Sequence, residues 1–159
     1  MKVRIGFGFD VHAFSAEREC WLGGIKIPSS VGILGHSDAD VLLHAISDAI
    51  LGACALADIG VHFPPSNIDI KDIDSKIILK HCLKLAEDKG FVVGNLDCTL
   101  VAEQPKIMPY ALAIRESIAG LCKVSIDDVS VKATTNEKMG FIGRKEGLVA
   151  YAAVLMVSK

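Results

Sequence analysis

The sequence predicts an α+β domain with helices packed on one face of a mixed sheet. Three observations lead there. Alternating or β-branched apolar runs occur at 3–9, 92–102, 129–133 and 148–157, and segments of helical period lie between them at 39–56, 75–89 and 109–121. The order, strands then helices then mixed, is not the strict βα alternation of a parallel sheet. At 159 residues, 51% of them apolar, the chain has enough material for one core and too little for two, so 1–159 is read as a single domain.

Taken in order, residues 3–9 form a strand that delivers Asp10 and His12 at its exit. Residues 21–27 read as a hairpin turning at Gly23-Gly24 and closed by Pro28. Ser37 or Asp38 caps a helix over 39–56, in which Leu42, Ile46, Ala49 and Ala53 make an apolar stripe while Asp40, His44 and Asp48 share another face. The Gly, Pro and Asn content of 58–67 predicts a loop. A second amphipathic helix over 75–89 is stopped by Gly90, and the strand 92–102 follows. Pro109 suits the first turn of a helix reaching about residue 121. The strand 129–133, a turn bracketed by Gly140 and Gly143, and the strand 148–157 complete the chain.

Composition excludes several classes. A net charge of −2 without a Lys/Arg cluster argues against a nucleic-acid surface, and charge, Gly or Pro interrupts every apolar run before it reaches the ~20 residues of a membrane span. Five cysteines, an odd number with no C-x-x-C spacing, read as buried free thiols in a reducing compartment. No signal peptide is evident in the first residues, so a cytoplasmic location is expected, or a plastid one if a transit segment precedes Met1.

Asp10-Val11-His12 places two metal-ligating side chains on one side of a strand, and His44 can bring a third donor from a helix. Two imidazole nitrogens and one carboxylate oxygen leave a tetrahedral ion one open position, the pattern of a catalytic zinc. His36, Asp38, Asp40, Asp48 and Asp58 crowd the same region. Asp48 is a candidate outer acceptor that orients an imidazole; alternatively, His44 is simply ion-paired with Asp40 and Asp48 one turn away. A second cluster is Lys132-Ala133-Thr134-Thr135-Asn136-Glu137-Lys138. Its spacing fits a capping box, Thr134-x-x-Glu137, that starts a short helix. It also fits a phosphate cradle in which hydroxyls and N–H groups meet the anion and Glu137 gives a hard oxygen to a magnesium-like ion. Lys138, Arg144 and Lys106 add positive charge.

Together these segments resemble the 2-C-methyl-D-erythritol 2,4-cyclodiphosphate synthase family of the non-mevalonate isoprenoid pathway. The matching pieces are Arg4-Ile5-Gly6, Gly8-Phe9-Asp10-Val11-His12, the block 36–60, Ala102-x-x-Pro105-Lys106, and Val131-Lys132-Ala133-Thr134-Thr135 with Glu137-Lys138-x-Gly140-Phe141-x-Gly143-Arg144. The resemblance implies zinc on Asp10, His12 and His44, magnesium or manganese near Glu137, and transition-state stabilisation by His36 and Thr135. It implies substrate contacts at Ser37, Asp58, Ile59, Gly60 and Phe63 with the segment to Asn67. It also implies a cytidine pocket over 102–108, including Ala102, Lys106, Ile107 and Met108, and further contacts at Ala133, Thr134, Phe141 and Arg144. The implied substrate is a diphosphocytidyl compound that cyclises with loss of CMP, and the implied assembly is a homotrimer with sites between subunits. Ala39 and Ala57 stand where glycine is common in that family, Pro65-Ser66-Asn67 replaces a more acidic loop, Asn136 replaces a threonine, Lys145 a small residue, and Tyr151 a frequent Glu. A zinc phosphohydrolase and a non-catalytic metal-dependent nucleotide-binding module are the rival classes.

Overall fold

The computed structural model describes residues 1–64 and 66–159. Its first strand, β1 (Val3–Ser15), is longer than the sequence predicts, and Asp10 and His12 lie inside it rather than at its exit. The reason is a partner strand at the far end of the chain, which pairs with it from Val3↔Val157 to Ala13↔Gly147 and leaves no frayed end. β2 (Trp21–Leu22) and β3 (Ile25–Lys26) make the expected hairpin, with Gly23 and Gly24 at φ +63° and +82°. β4 (Gly32–Ile33) then pairs with the end of β1.

Helix α1 spans Val41–Ala53, shorter than expected. Ala39 has φ +58° and cannot be helical, so the cap is Asp40, not Ser37 or Asp38. The Asp40 carboxylate accepts from Leu43 N and also from Gly23 N and Gly24 N, tying the hairpin turn to the helix start. The predicted stripe understates the burial: nearly every residue of α1 is buried, because the helix lies between the sheet and a further helix. A one-turn helix, α2 (Ile59–His62), occupies part of the predicted loop, and α3 (Ser75–Asp88) ends before Gly90, whose φ is +79°.

The remaining elements are β5 (Phe91–Val101), α4 (Ala111–Cys122) after a 3₁₀ turn at Met108–Tyr110, β6 (Val129–Thr134), α5 (Gly140–Gly143) where a turn was predicted, and β7 (Gly147–Ser158). The five-stranded sheet has the order β4-β1-β7-β5-β6; β5 and β6 are parallel, joined across α4, and the other pairs are antiparallel. The sheet is mixed, as expected, with α1, α3 and α4 on one side. Leu148, Ala150, Ala152, Val154 and Met156 of β7 are buried beneath them. All five cysteines are buried and free.

Among the described residues, no helix lies over the opposite sheet face. On β1 it presents Val3, Ile5, Phe7, Phe9 and Val11, all exposed, and on β7 Tyr151, whose ring lies 5.4 Å from that of Phe9. Towards β5 and β6 this face turns polar, with Asn95, Asp97, Ser130 and Lys132 exposed and Lys132 paired to Asp97.

Candidate metal and phosphate site

The even-numbered residues of β1 face α1, and two of them are glycine. A Cβ on Gly6 would stand 1.7 Å from Ala49 O, and one on Gly8 1.8 Å from Ala45 O. The helix therefore rests on bare backbone, running antiparallel to the strand. Asp10 and His12 continue the same row and meet His44, beside Ala45, without either side chain leaving its element. Asp10 Oδ2 lies 2.9 Å from His12 Nε2 and 3.0 Å from His44 Nδ1, and the two nitrogens are 3.2 Å apart. A tetrahedron with bonds of about 2.0–2.1 Å has edges of roughly 3.3–3.4 Å, so the three donors already stand near the separation that one ion needs.

The outward nitrogens of both rings are held. His12 Nδ1 is 2.9 Å from Leu34 O, an acceptor only, so Nδ1 carries the hydrogen and Nε2 faces the cluster with its lone pair. His44 Nε2 is 2.9 Å from Ser75 Oγ and 3.2 Å from Ser37 Oγ. Burial by itself would push the Asp10 carboxyl up, but hydrogen bonds and charge from the two imidazoles outweigh it and bring it down to about 2. Burial works to lower the pKa of His44, yet the hydrogen bond and charge of Asp10 raise it. Protons and a metal ion thus compete for the same atoms.

Asp48 does not orient an imidazole. Its carboxylate accepts from Ile59 N at 2.8 Å, and the outer acceptor near His44 is serine instead. Nor does Asp40 ion-pair with His44, being occupied as the helix cap. Asp48 instead anchors the 58–60 segment, where Asp58 caps α2 by accepting from Val61 N at 3.2 Å. Burial pushes the Asp48 carboxyl up. Phe63 packs edge-on against the His81 ring at 5.2 Å; Pro65, in the predicted contact segment, lies outside the described residues. His36 is exposed, and the turn bearing it is held from behind: Asp72 N donates to His36 O at 2.6 Å, and Arg18 donates to Ser37 O at 2.5 Å and to Asp72 at 2.8 Å.

The second cluster forms where the parallel strands β5 and β6 end together. Ala102 N donates to Thr134 O at 3.0 Å, which sets 102–108 beside 133–135. Lys106, Met108, Thr134, Thr135 and Glu137 are exposed, Ala102 and Ile107 are buried, and Ala133 is half-buried. The capping box does not form. Glu137 and Lys138 have φ +50° and +61°, outside the right-handed helix, and the short helix begins only at Gly140. One oxygen of Glu103 accepts from both Asn136 N and Lys138 N, at 3.1 and 3.0 Å, and so shapes the loop that displays Glu137. Phe141 lies on α5, and Arg144 follows it, paired with Glu146 at 2.7 Å.

The structure thus brings Asp10, His12, His44, Ser37 and the 58–60 anchor into one group, and Ala102, Ala133, Thr134, Thr135 and Glu137 into another. The groups share an end of the sheet, since Val11, Val149, Val101 and Thr134 stand level across it. Three strand spacings, roughly 14 Å, separate β1 from β6. They differ in side: Thr134 continues the open-face row of Ser130 and Lys132, whereas Asp10 and His12 face the helices. Sequence reasoning missed Ser75, Glu103, Leu34 and Arg18. Only the run Asp74-Ser75 as a helix start carried a local signal for any of them.

Fold and site define a small α+β protein with a histidine and carboxylate cluster able to hold a metal ion. Residues 3–157 match the YgbB family. A 2-C-methyl-D-erythritol 2,4-cyclodiphosphate synthase of Prosthecochloris aestuarii is 55% identical over 157 residues, covering 99% of this chain and 100% of that protein. One of Parabacteroides distasonis is 53% identical over 156 residues, covering 98% and 97%. The solved structure of an IspF of Plasmodium falciparum in complex with CDP superposes with a TM-score of 0.87 at 36% identity, covering 99% of this chain and 97% of that one. The chain belongs to the YgbB family, that of the 2-C-methyl-D-erythritol 2,4-cyclodiphosphate synthases. Among the described residues, no helix is long and apolar enough to cross a membrane.

Proposed function

We propose that the chain is a cyclase that converts 4-diphosphocytidyl-2-C-methyl-D-erythritol 2-phosphate to 2-C-methyl-D-erythritol 2,4-cyclodiphosphate with release of CMP. The observation that carries this reading is the Asp10, His12 and His44 cluster in a chain 53–56% identical, end to end, to synthases of that name. An oxygen of the 2-phosphate bonds to the β-phosphorus, the bond from that phosphorus to the oxygen bridging to the α-phosphate breaks, and the electron pair leaves with CMP. No protein nucleophile and no activated water are needed.

The obstacle is charge. Two unit charges 4 Å apart repel by about 1 kcal/mol in water and roughly 4 kcal/mol at an effective dielectric of 20, and the substrate brings several. The donor set of two imidazoles and a carboxylate fits zinc, and Glu137, a hard oxygen, fits magnesium or manganese. When bound, these ions neutralise phosphate charge and polarise the β-phosphoryl group. The protein's own work is positioning. The backbone of 102–108 receives the cytosine, with Lys106, Ile107 and Met108 beside it, and Ala133, Thr134 and Thr135 meet the diphosphate. Asp58, Ile59, Gly60, Phe63 and Ser37 hold the methylerythritol phosphate. His36 and Thr135 contact the reacting phosphates, and Phe141 and Arg144 border the site. Held so, the two phosphates approach each other in a near-attack shape.

The assembly is a homotrimer with each site between two chains. Two features support this. The exposed apolar row on β1 is a surface that a second copy can cover, and Thr134 faces the opposite side of the sheet from Asp10 and His12. Buried free thiols fit a cytoplasmic enzyme.

³¹P NMR of the purified protein with the diphosphocytidyl substrate, zinc and magnesium tests the reaction. Cyclic diphosphate and CMP in equal amounts are expected. Linear phosphate products would make the chain a phosphohydrolase, and unchanged substrate a binding module; either overturns the proposal.

A further inference from the structure

The two nitrogens of His44 have separate tasks. Nδ1 sits inside the metal cluster, while Nε2 points away to Ser75 Oγ at 2.9 Å. Ser75 Oγ donates to Asp38 Oδ1, and Ser75 N donates to Asp38 Oδ2 at 3.0 Å, so both polar groups of this serine are tied to one carboxylate. A hydroxyl has a single proton, and a carboxylate can only accept. With its proton given to Asp38, Ser75 Oγ meets the imidazole as an acceptor. The hydrogen of His44 is then on Nε2, and the Nδ1 lone pair is left for the cluster. Ser37 Oγ is the more distant contact, at 3.2 Å, and already accepts from Ala39 N.

We propose that Ser75, polarised by Asp38, is the positioning residue that fixes the tautomer and ring orientation of His44 as a metal ligand. The relay joins three places in the chain: the segment ahead of α1, α1 itself, and the first residue of α3. Docking α3 on α1 therefore sets the serine against the outer nitrogen of a ligand. Ser75 is 0% exposed, so no bulk water replaces its oxygen. A hydrogen bond passed on to a carboxylate also makes the opposite ring nitrogen a better donor to a cation. The inference rests on the reading that the triad holds a metal ion, and the measurements below separate the two.

The test compares the wild type with Ser75→Ala, Asp38→Asn and Ser37→Ala by zinc competition against a chromogenic chelator, circular dichroism, and NMR of ¹⁵N-histidine-labelled protein. Ser75→Ala is expected to weaken zinc binding by about 10- to 100-fold with helix content unchanged, and to lose the slowly exchanging Nε2–H signal of His44. Asp38→Asn, which leaves α3 and its serine in place, weakens zinc in the same direction and answers the question even if Ser75→Ala folds poorly. Ser37→Ala retains the Nε2–H signal and loses less affinity. Wild-type affinity in both Ser75→Ala and Asp38→Asn, or a larger loss in Ser37→Ala, overturns the positioning role while leaving the metal site standing. A wild type that takes up no zinc overturns both.

Discussion

The metal cluster and the 134–138 loop lie at the same end of one sheet but are finished to different degrees. Asp10, His12 and His44 project from a thirteen-residue strand and a thirteen-residue helix, and each is locked by partners from its own chain. Around Glu137 the supporting contacts stop at the backbone: Glu103 fixes the loop, while Thr134, Thr135, Glu137 and Lys106 stay exposed. One region is preorganised within a single chain. The other is a shaped display left open, and in the proposed assembly the apolar row along β1 brings a facing surface close to it.

The largest expected effect comes from breaking the finished region. His44→Ala removes one of three donors and should lower activity by more than about 100-fold, the upper end of what loss of an outer partner alone costs. Zinc analysis after dialysis should show loss of the ion, with the circular dichroism spectrum retained; a folded variant that keeps one zinc per chain would refute the ligand assignment. Glu137→Gln attacks the unfinished region and should separate the two. A charge-assisted contact worth about 1.5–3 kcal/mol predicts a ten- to hundredfold fall in turnover, with zinc content unchanged. Equal activity across a magnesium titration would leave Glu137 with no part in metal binding.

Phe7→Asp tests the surface between them. Phe7 is 66% exposed in the single chain, and burying a side chain of this size contributes about 1.5–3 kcal/mol. The variant should elute as a smaller species in size-exclusion chromatography with light scattering and lose activity together with assembly. A trimer of undiminished stability would show that the β1 face is not the contact. The smallest effect is expected at Ala57, exposed at φ +64° and one of the positions where the resembled family favours glycine. Ala57→Gly relieves a left-handed conformation and should add up to about 1 kcal/mol in urea unfolding, with turnover unaffected.

The same contrast explains what the sequence revealed. Asp10 and His12 were legible because their geometry is local: a strand repeats every two residues, and any strand through them puts both on one side. Helix α1 and the Gly23-Gly24 turn were legible for the same reason. Ser75 was not, since it reaches His44 across 31 residues and Asp38 across 37, and a serine at a helix start reads as part of a cap. Asp48 was misassigned because spacing on the helix made it a neighbour of His44, whereas Ile59 N, eleven residues on, claims its carboxylate. The capping-box spacing of Thr134 and Glu137 misled because the backbone turns left-handed at Glu137 and Lys138, in a loop held by Glu103 from another strand end. Gly6 and Gly8 read as strand residues, and only the helix lying on them gives their role.

In the proposed shared site, the finished half of one chain works with the unfinished half of its neighbour, and complementation between variants is the decisive experiment. In the proposed homotrimer, His44→Ala and Thr135→Ala proteins are each expected to be impaired in every site. In mixed trimers made by co-expression and isolated with two tags, some interfaces combine an intact metal cluster with an intact 134–138 loop. Activity per trimer is predicted to rise well above that of either parent. Mixed trimers no more active than their parents, or a monomer with full activity, would contradict the shared site.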